Sequence, residues 1–152
     1  MLHDREMEVD RNGLEVLGRA DCLRLLGHQT LGRVGLTFGA LPTVLPVTYR
    51  FAGDRILVRT GVGSKLDAAM HNMVVAFEVD DFDPIYHSGW SVVVTGVATE
   101  LTAPEDLVVV RDAPIPRWAP NGEEHVLSIA TEMVSGRRMS PHAMDPATPP
   151  SV

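Results

Sequence analysis

The sequence has little cysteine and no long hydrophobic segment. Its single cysteine, Cys22, cannot form an internal disulfide, and it lies in the amphipathic run ADCLRLLGH, which is typical of a buried thiol. No apolar stretch approaches the roughly 20 residues that a membrane-spanning helix requires. The charged start MLHDREMEVD has no apolar core and does not resemble a secretory signal. We therefore expect a cytoplasmic protein with no membrane partner.

Positive charge is also scarce. Thirteen Lys and Arg residues stand against twenty Asp and Glu residues, which gives a formal net charge of −7. Proteins that bind the nucleic-acid backbone need clustered Lys and Arg, so this composition argues against a nucleic-acid partner. It does not exclude a small anion, because a local set of hydrogen-bond donors determines whether one anion binds.

The 152 residues have the length of one domain. Both ends are polar or rich in proline, so we expect a flexible N-terminal segment at 1–12, a folded domain at 13–139 and a disordered tail at 140–152. Within the domain, strand-like runs separated by turn residues predict a mainly β fold, a six-stranded barrel with a few short helices. The predicted strands are 32–38, 43–51, 55–60, 73–80, 91–101 and 125–138, and the predicted helices are 19–27, 64–72 and a segment after Pro104.

The stretch VRTGVGSKLDAAM, residues 58–70, contains the chain's single lysine, Lys65. It lacks the spacing of a P-loop and the third glycine of a dinucleotide fingerprint. Arg59 and Thr60 nevertheless end a predicted strand, two glycines follow, and Ser64 and Lys65 begin a predicted helix. Backbone amides, a hydroxyl and an ammonium group can converge on a phosphate there. The alternative is that Ser64 only caps the helix and Lys65 is solvated.

The segment FEVDDFDPIYHSGWSVVVTG, residues 77–96, combines carboxylates with a tryptophan. The acidic residues suggest acid–base chemistry or a metal site, but no glycine-bearing calcium loop follows, and a solvated loop between two strands explains them equally. Trp90 begins the next predicted strand. Its indole either closes the end of the barrel or flanks a planar ring.

Familiar enzyme motifs are missing. The run GWSVV lacks the second glycine of a nucleophile elbow, and no two histidines are four residues apart, as a zinc-binding pair on a helix would be. We therefore expect no metal site, and we identify no catalytic acid or base. A histidine that binds haem stays open as an alternative to an ordinary surface or capping role.

Four motifs together resemble a known family. The order of LGRVGL, LPVTYRFAGDRILVRTGVGSKLDAA, VAFEVDDFDP and GWSVVVTGVATEL is similar to that in the pyridoxamine 5′-phosphate oxidase-like, FMN-binding split-barrel proteins of actinobacterial type. The resemblance covers about residues 17–139 and is weakest in the C-terminal third. It implies a six-stranded antiparallel split barrel that forms a homodimer, with FMN at the dimer interface.

The resemblance also implies site residues. The strand beside the isoalloxazine ring would contribute Pro46, Val47, Thr48 and Tyr49, acting through backbone groups. The phosphate of FMN would be held by Arg59, Thr60, Ser64 and Lys65. Trp90 and Ser91 would lie where the chain returns to the phosphate and the ring.

The implied function is that of an FMN-dependent oxidoreductase of unknown substrate. Arg137 and Arg138 do not match the segment with which the authentic oxidase recognises the vitamin phosphate, so oxidation of that vitamin is not expected. A non-enzymatic flavin-binding or sensing module and a deazaflavin-dependent reductase are the alternatives. We expect Trp90 and Trp118 at the dimer interface, because aromatic side chains are enriched in interface cores.

Overall fold

A computed structural model of the chain describes residues 7–112, 114–115 and 122–141. Within these ranges the fold is mainly β, with eight strands and three helices. The strands are β1 (Glu15–Leu17), β2 (Leu31–Phe38), β3 (Leu41–Ala52), β4 (Arg55–Gly61), β5 (Val74–Asp83), β6 (Ser88–Glu100), β7 (Glu124–Ala130) and β8 (Met133–Met139). The helices are α1 (Arg19–Leu26), α2 (Lys65–Met70) and α3 (Pro104–Asp112). Trp118 lies outside the described residues.

Six of the strands close into an antiparallel barrel in the order β6-β5-β2-β3-β4-β7, with β7 pairing back onto β6. The long strand β6 makes this closure possible. Its first part, from Gly89 to Thr95, pairs with β8, whereas Ala98 to Glu100 pair with β7. Strands β8 and β1 extend the sheet beyond the barrel. The predicted six-stranded antiparallel barrel is confirmed.

Most predicted elements lie within three residues of the observed bounds, but the single strand predicted at 125–138 is wrong. The chain forms β7 and β8 instead, interrupted at Thr131 and Glu132. Two hydrogen bonds hold this interruption: the Thr131 hydroxyl donates to the carbonyl oxygen of Asp54 at 2.6 Å, and the Thr131 carbonyl accepts from Arg19 at 2.6 Å. The short strand β1 was not predicted.

The barrel interior is filled by the alternate residues of its strands. Tyr49 is fully buried, and its ring packs edge-to-face on Phe77 with 4.8 Å between the ring centroids. The Tyr49 hydroxyl donates to the carbonyl oxygen of Leu26 at 2.6 Å, which ties β3 to the end of α1. Cys22 on α1 is buried, as its amphipathic run predicted, and burial raises the pKa of its thiol.

The opposite face of the same sheet carries exposed apolar side chains. The strand registers align Val44, Gly35, Ala76, Thr95 and Met133 in one row across β3, β2, β5, β6 and β8. Around this row lie five exposed residues that we call the outer apolar patch: Val44, Val74, Val93, Val97 and Met133. Large apolar patches of this kind mark interaction surfaces.

Candidate functional site

The turn between β4 and α2 has the geometry of a helix cap. Gly63 adopts a left-handed conformation with φ of 75°, which glycine accepts without strain. Ser64 follows in an extended conformation, and its hydroxyl oxygen accepts a hydrogen bond from the amide of Asp67 at 3.1 Å. Ser64 therefore caps α2, and its hydroxyl oxygen is occupied by this hydrogen bond.

Arg59 and Thr60 project from opposite faces of β4, because successive side chains of a strand alternate. Thr60 is buried, and its hydroxyl donates to Oδ1 of Asp67 at 2.7 Å. Arg59 forms an ion pair with Glu124, with 3.0 Å between Nη1 and Oε2. Nε of Arg59 is buried and has no hydrogen-bond partner among the residues that the structure describes. The structure thus brings Thr60 and Ser64 together around Asp67 and leaves Arg59 on the other side of the strand.

Lys65, the first residue of α2, is exposed. Its ammonium nitrogen lies 5.8 Å from the ring centroid of Phe38, at the end of β2. This distance is within the range of a cation–π contact, which is weak at an exposed site. The Lys65 side chain is therefore accessible to a ligand.

Four titratable residues from α2, β6 and β7 meet beside this turn: Asp67, His71, Glu100 and His125. Nδ1 of His125 lies 2.9 Å from Oδ1 of Asp67, and Nε2 of His71 lies 3.2 Å from Oε2 of Glu100. Burial alone would raise the pKa of Asp67, but hydrogen bonds from Thr60, His125 and the Gly63 amide outweigh it and lower this pKa. The hydrogen bond to Asp67 raises the pKa of His125.

The residues predicted beside a flavin ring alternate along β3. Val47 and Tyr49 are buried, whereas Pro46 and Thr48 lie on the outer face of the sheet. The Tyr49 hydroxyl is committed to Leu26 inside the barrel. A ligand on the outer face can therefore meet the backbone and the side chains of Pro46 and Thr48, but not the ring of Tyr49.

Trp90 lies near the start of β6, and its side chain lines two surface cavities. The larger has a volume of about 650 Å³ and the smaller about 300 Å³. Both are lined by Asp81, Phe82, Gly89, Trp90 and Met139; Arg138 lines the larger, and Ser91 and Arg137 line the smaller. Volumes of this size suit small-molecule ligands.

The structure does not bring Trp90 and Ser91 close to Thr60 and Ser64 along one chain. Ten residues of β6 separate Trp90 from Glu100, which is roughly 30 Å of strand at about 3.3 Å per residue. Glu100 contacts His125, and His125 contacts Asp67 beside Thr60. The two groups of predicted site residues therefore lie at opposite ends of β6.

The acidic segment of the sequence has structural partners. Arg33 pairs with Glu78 at 3.2 Å and with Asp80 at 3.7 Å. Burial, together with the neighbouring Asp80, raises the pKa of Glu78 to about 7, while Arg33 acts in the opposite direction. Asp83 accepts the amides of Ile85 and Tyr86 in the turn between β5 and β6. The sequence analysis allowed a solvated loop here, but Glu78, Asp80 and Asp83 lie on β5 and have structural partners.

Sequence reasoning missed the cluster of Asp67, His71, Glu100 and His125. Histidine pairs close in sequence are absent from the cluster. Asp67 and His71 are four residues apart on one side of α2, and the other two members are distant in sequence. His125 joins them because β4 and β7 pair Thr60 with His125. The Asp-x-x-x-His spacing was the available signal.

The antiparallel barrel closed by a shared long strand places the protein among the split-barrel proteins. The sequence model of the pyridoxamine 5′-phosphate oxidase family matches residues 18–138. The chain belongs to the pyridoxamine 5′-phosphate oxidase family, which confirms the resemblance drawn from the four motifs.

Individual proteins resemble this chain over most of its length. An uncharacterized Mycobacterium tuberculosis protein, Rv0080, is 38% identical over 128 residues, covering 81% of this chain and 84% of the relative. The structure of the FAD binding protein from Mycobacterium smegmatis superposes with a TM-score of 0.73 at 31% identity, covering 82% of this chain and 98% of that one. A FAD-binding protein from Mesorhizobium loti shares the fold, with a TM-score of 0.70 at 23% identity over 84% of this chain and 99% of its own.

No helix in the described ranges is both long enough and apolar enough to cross a membrane.

Proposed function

We propose that this protein binds FMN as a homodimer and uses it as a redox cofactor. The observation that carries the proposal is the family match over residues 18–138, together with a 31% identical neighbour that is a FAD binding protein. The flavin would supply the electron-transfer chemistry, and the protein would supply binding, orientation and electrostatics. No side chain is assigned as a catalytic acid or base.

Arg59 and Lys65 are the proposed cations for the FMN phosphate. Within the described ranges Nε of Arg59 is buried without a partner, and an unpaired buried donor is costly unless an acceptor satisfies it. Lys65 is exposed, so its ammonium group is free to turn from the Phe38 ring toward a phosphate. Both observations support an anion at this turn.

Two carboxylates limit how this phosphate would bind. Glu124 pairs with Arg59, and Asp67 accepts the hydroxyl of Thr60. A phosphate dianion beside them is repelled unless Arg59 exchanges Glu124 for the phosphate. Binding of FMN therefore includes a rotation of the Arg59 guanidinium group, with Ser64 and Lys65 at the start of α2 completing the phosphate contacts.

The separation along β6 supports the dimer. Trp90 and Ser91 lie about 30 Å of strand away from Glu100, whose contact with His125 places it near the turn that holds Lys65. One flavin can contact both groups when the second chain contributes its own Trp90 and Ser91. The outer apolar patch offers that second chain a surface to pack against, since it presents five exposed apolar side chains next to the small residues Gly35 and Ala76.

FAD is the second candidate cofactor, favoured by the cofactor of the Mycobacterium smegmatis neighbour. The two flavins differ at the phosphate, where FMN ends in a monoester and FAD continues into a second phosphate and adenosine. Lys65 and Arg59 would meet more charge on the terminal phosphate of FMN. A comparison of FMN, FAD and riboflavin affinities therefore tests both the cofactor and the phosphate site.

The test is Lys65→Ala, with binding followed by quenching of flavin fluorescence. We expect FMN affinity to fall by about 10- to 100-fold, the scale of one charge-assisted hydrogen bond. Riboflavin lacks the phosphate, and its affinity should stay within about twofold. Arg24→Ala removes one exposed positive charge on α1 and serves as the matched control. Equal weakening of FMN and riboflavin would contradict the phosphate assignment.

Steady-state oxidation of a reduced nicotinamide by the flavin-loaded protein separates an oxidoreductase from a flavin-sensing module. Turnover above that of free flavin supports the enzyme. Tight flavin binding, with no oxidation of the reduced nicotinamide by any electron acceptor tested, supports the sensing alternative.

A further inference from the structure

The cluster of Asp67, His71, Glu100 and His125 has a geometry that neither the flavin site nor the barrel core requires. Asp67 is on α2, His71 directly follows α2, Glu100 ends β6 and His125 is on β7. The rings of His71 and His125 approach edge-to-face with 5.5 Å between their centroids. Three of the side chains offer ligand atoms within 4.8 Å of one another: Asp67, His71 and His125.

Both imidazole rings are oriented in the same sense. Their Nδ1 atoms face Asp67, at 3.8 Å for His71 and 2.9 Å for His125. Their Nε2 atoms face Glu100, at 3.2 Å from Oε2 for His71 and 3.5 Å from Oε1 for His125. The Asp67 carboxylate therefore faces the Nδ1 side of both rings, and the Glu100 carboxylate faces the Nε2 side of both.

This arrangement matches the outer contacts of a metal centre. A histidine that binds a metal through one ring nitrogen commonly donates its other N–H to a carboxylate, which fixes the tautomer and the ring orientation. Glu100 can accept Nε2–H from both rings at once. When a metal replaces the proton that Nδ1 of His125 shares with Asp67, the Nδ1 lone pairs of both rings face an ion beside Oδ1 of Asp67. Two imidazole nitrogens with one carboxylate oxygen are a ligand set of catalytic zinc sites.

The distances fit an ion of this size. Bonds of about 2.0 to 2.1 Å at tetrahedral angles separate neighbouring ligand atoms by about 3.3 Å. The observed separations from Asp67 Oδ1 to the two Nδ1 atoms, 2.9 and 3.8 Å, lie on either side of that value. All three ligand atoms lie within 4.8 Å of one another, so the wider separations must shorten when the side chains close on a metal.

Asp67 is held in place for this role, and the histidines leave a path to solvent. The carboxylate of Asp67 is buried, with Thr60 donating to Oδ1 and the Gly63 amide to Oδ2. His71 and His125 keep 31% and 28% of their side-chain surface exposed. An ion can enter from that side, and a fourth position would remain for water.

We propose that Asp67, His71 and His125 form a binding site for a divalent transition metal, zinc by its ligand chemistry, with Glu100 as the carboxylate that orients both histidines. Two carboxylates and two neutral imidazoles carry a net charge of −2, which a divalent cation neutralises. The site does not depend on the proposed flavin, because none of its ligands is assigned to FMN.

The test uses the full-length chain without an affinity tag, Zn²⁺ in competition with a chromophoric chelator, and Co²⁺ as a spectroscopic probe. We expect one Zn²⁺ per chain and, with Co²⁺, the intense visible absorption of a four-coordinate ion. His125→Ala should weaken Zn²⁺ binding by 100-fold or more. Glu100→Gln should weaken it by about 10- to 100-fold, the effect of losing an outer carboxylate partner, and should keep the Co²⁺ spectrum.

His28→Ala removes an exposed histidine outside the cluster and should bind Zn²⁺ as the unmodified chain does. The unmodified chain gives a result that does not depend on how well a variant folds: no stoichiometric Zn²⁺ binding, or a weak six-coordinate Co²⁺ spectrum, would overturn the proposal. Equal loss of binding in His28→Ala and His125→Ala would also overturn it, because binding would then be nonspecific.

Discussion

The hydroxyl of Tyr49 on β3 is held inside the barrel. It is fully buried, and it donates to the Leu26 carbonyl oxygen at 2.6 Å. Burial raises the pKa of Tyr49 far above its ordinary value, so the phenol stays neutral. A group fixed in this way stabilises the fold and takes no part in proton transfer to a flavin.

Tyr49→Phe should therefore separate stability from cofactor affinity. The free energy of unfolding should fall by about 1 to 3 kcal/mol, because the Leu26 carbonyl is left without its partner. FMN affinity should stay within a few-fold of the original value. Chemical denaturation and fluorescence titration measure the two quantities, and a hundredfold loss of FMN affinity in a folded variant would mean that the hydroxyl contacts the ligand.

Single residues were the most predictable part of the candidate site. Ser64 at a helix start and Cys22 in an amphipathic helix have local signals, and the structure bears out both interpretations. The contact of Asp67 with His125 has no local signal, because it depends on the pairing of β4 with β7 across more than sixty residues. Spacing in the sequence indicates which residues are neighbours along one helix or strand. It does not indicate contacts between residues on different elements.

At the scale of the elements, β6 is the strand on which the barrel depends. It exchanges partners between Thr95, which pairs with β8, and Ala98, which pairs with β7. Gly96 lies within this exchange, and a Cβ atom there would collide with the carbonyl oxygen of Ala130 on β7. Only a residue without a side chain allows the two backbones to approach this closely.

We expect Gly96→Ala to lower the free energy of unfolding by about 1 to 3 kcal/mol, the usual cost of inserting a methyl group where the packing leaves no room. Gly18→Ala is the matched control, since nothing lies within 4 Å of a Cβ there. Because Gly18 is the N-cap of α1, where glycine is preferred to alanine, this change should cost less than about 1 kcal/mol. Similar stability of the two variants in urea denaturation would show that β6 and β7 can separate at no cost.

The elements that the sequence predicted correctly have strong periodicity and clear turns, as β2 to β6 do. The run from 125 to 138 misled the prediction because it contains no glycine or proline before Gly136. Its break comes from tertiary contacts of Thr131 with Asp54 and Arg19. The helix α3 is the opposite case: its β-branched residues favour a strand, yet Val110 packs with Leu57 and Leu101 and the segment is helical.

At the scale of the whole molecule, the outer apolar patch is the surface that argues for a second copy. Val44 and Met133 keep 68% and 67% of their surface exposed in the single chain. Gly35 and Ala76 lie between them in the same row, so a partner can approach the sheet closely. A symmetric dimer would bury the same patch on both chains.

Val44→Asp should disrupt this dimer, because each interface would then bury a carboxylate from both chains without a partner. We expect the dissociation constant of the dimer to rise by 100-fold or more in sedimentation velocity experiments at micromolar concentration. Val108→Asp on α3 introduces the same charge at an exposed valine outside the patch and should leave the association unchanged. A chain that is monomeric before any substitution would contradict the dimer.

The exposure of Lys65 makes the proposed phosphate turn chemically addressable. Because the sequence contains one lysine, an amine-selective acylating reagent has a single side-chain target, and that target lies at the start of α2. The α-amino group of the chain reacts as well, so the label on Lys65 is read separately by peptide mapping, and its extent reports how often that ammonium group is uncovered. Because Lys65 is the single lysine, protection of its side chain from labelling reports directly whether a ligand occupies the turn between β4 and α2.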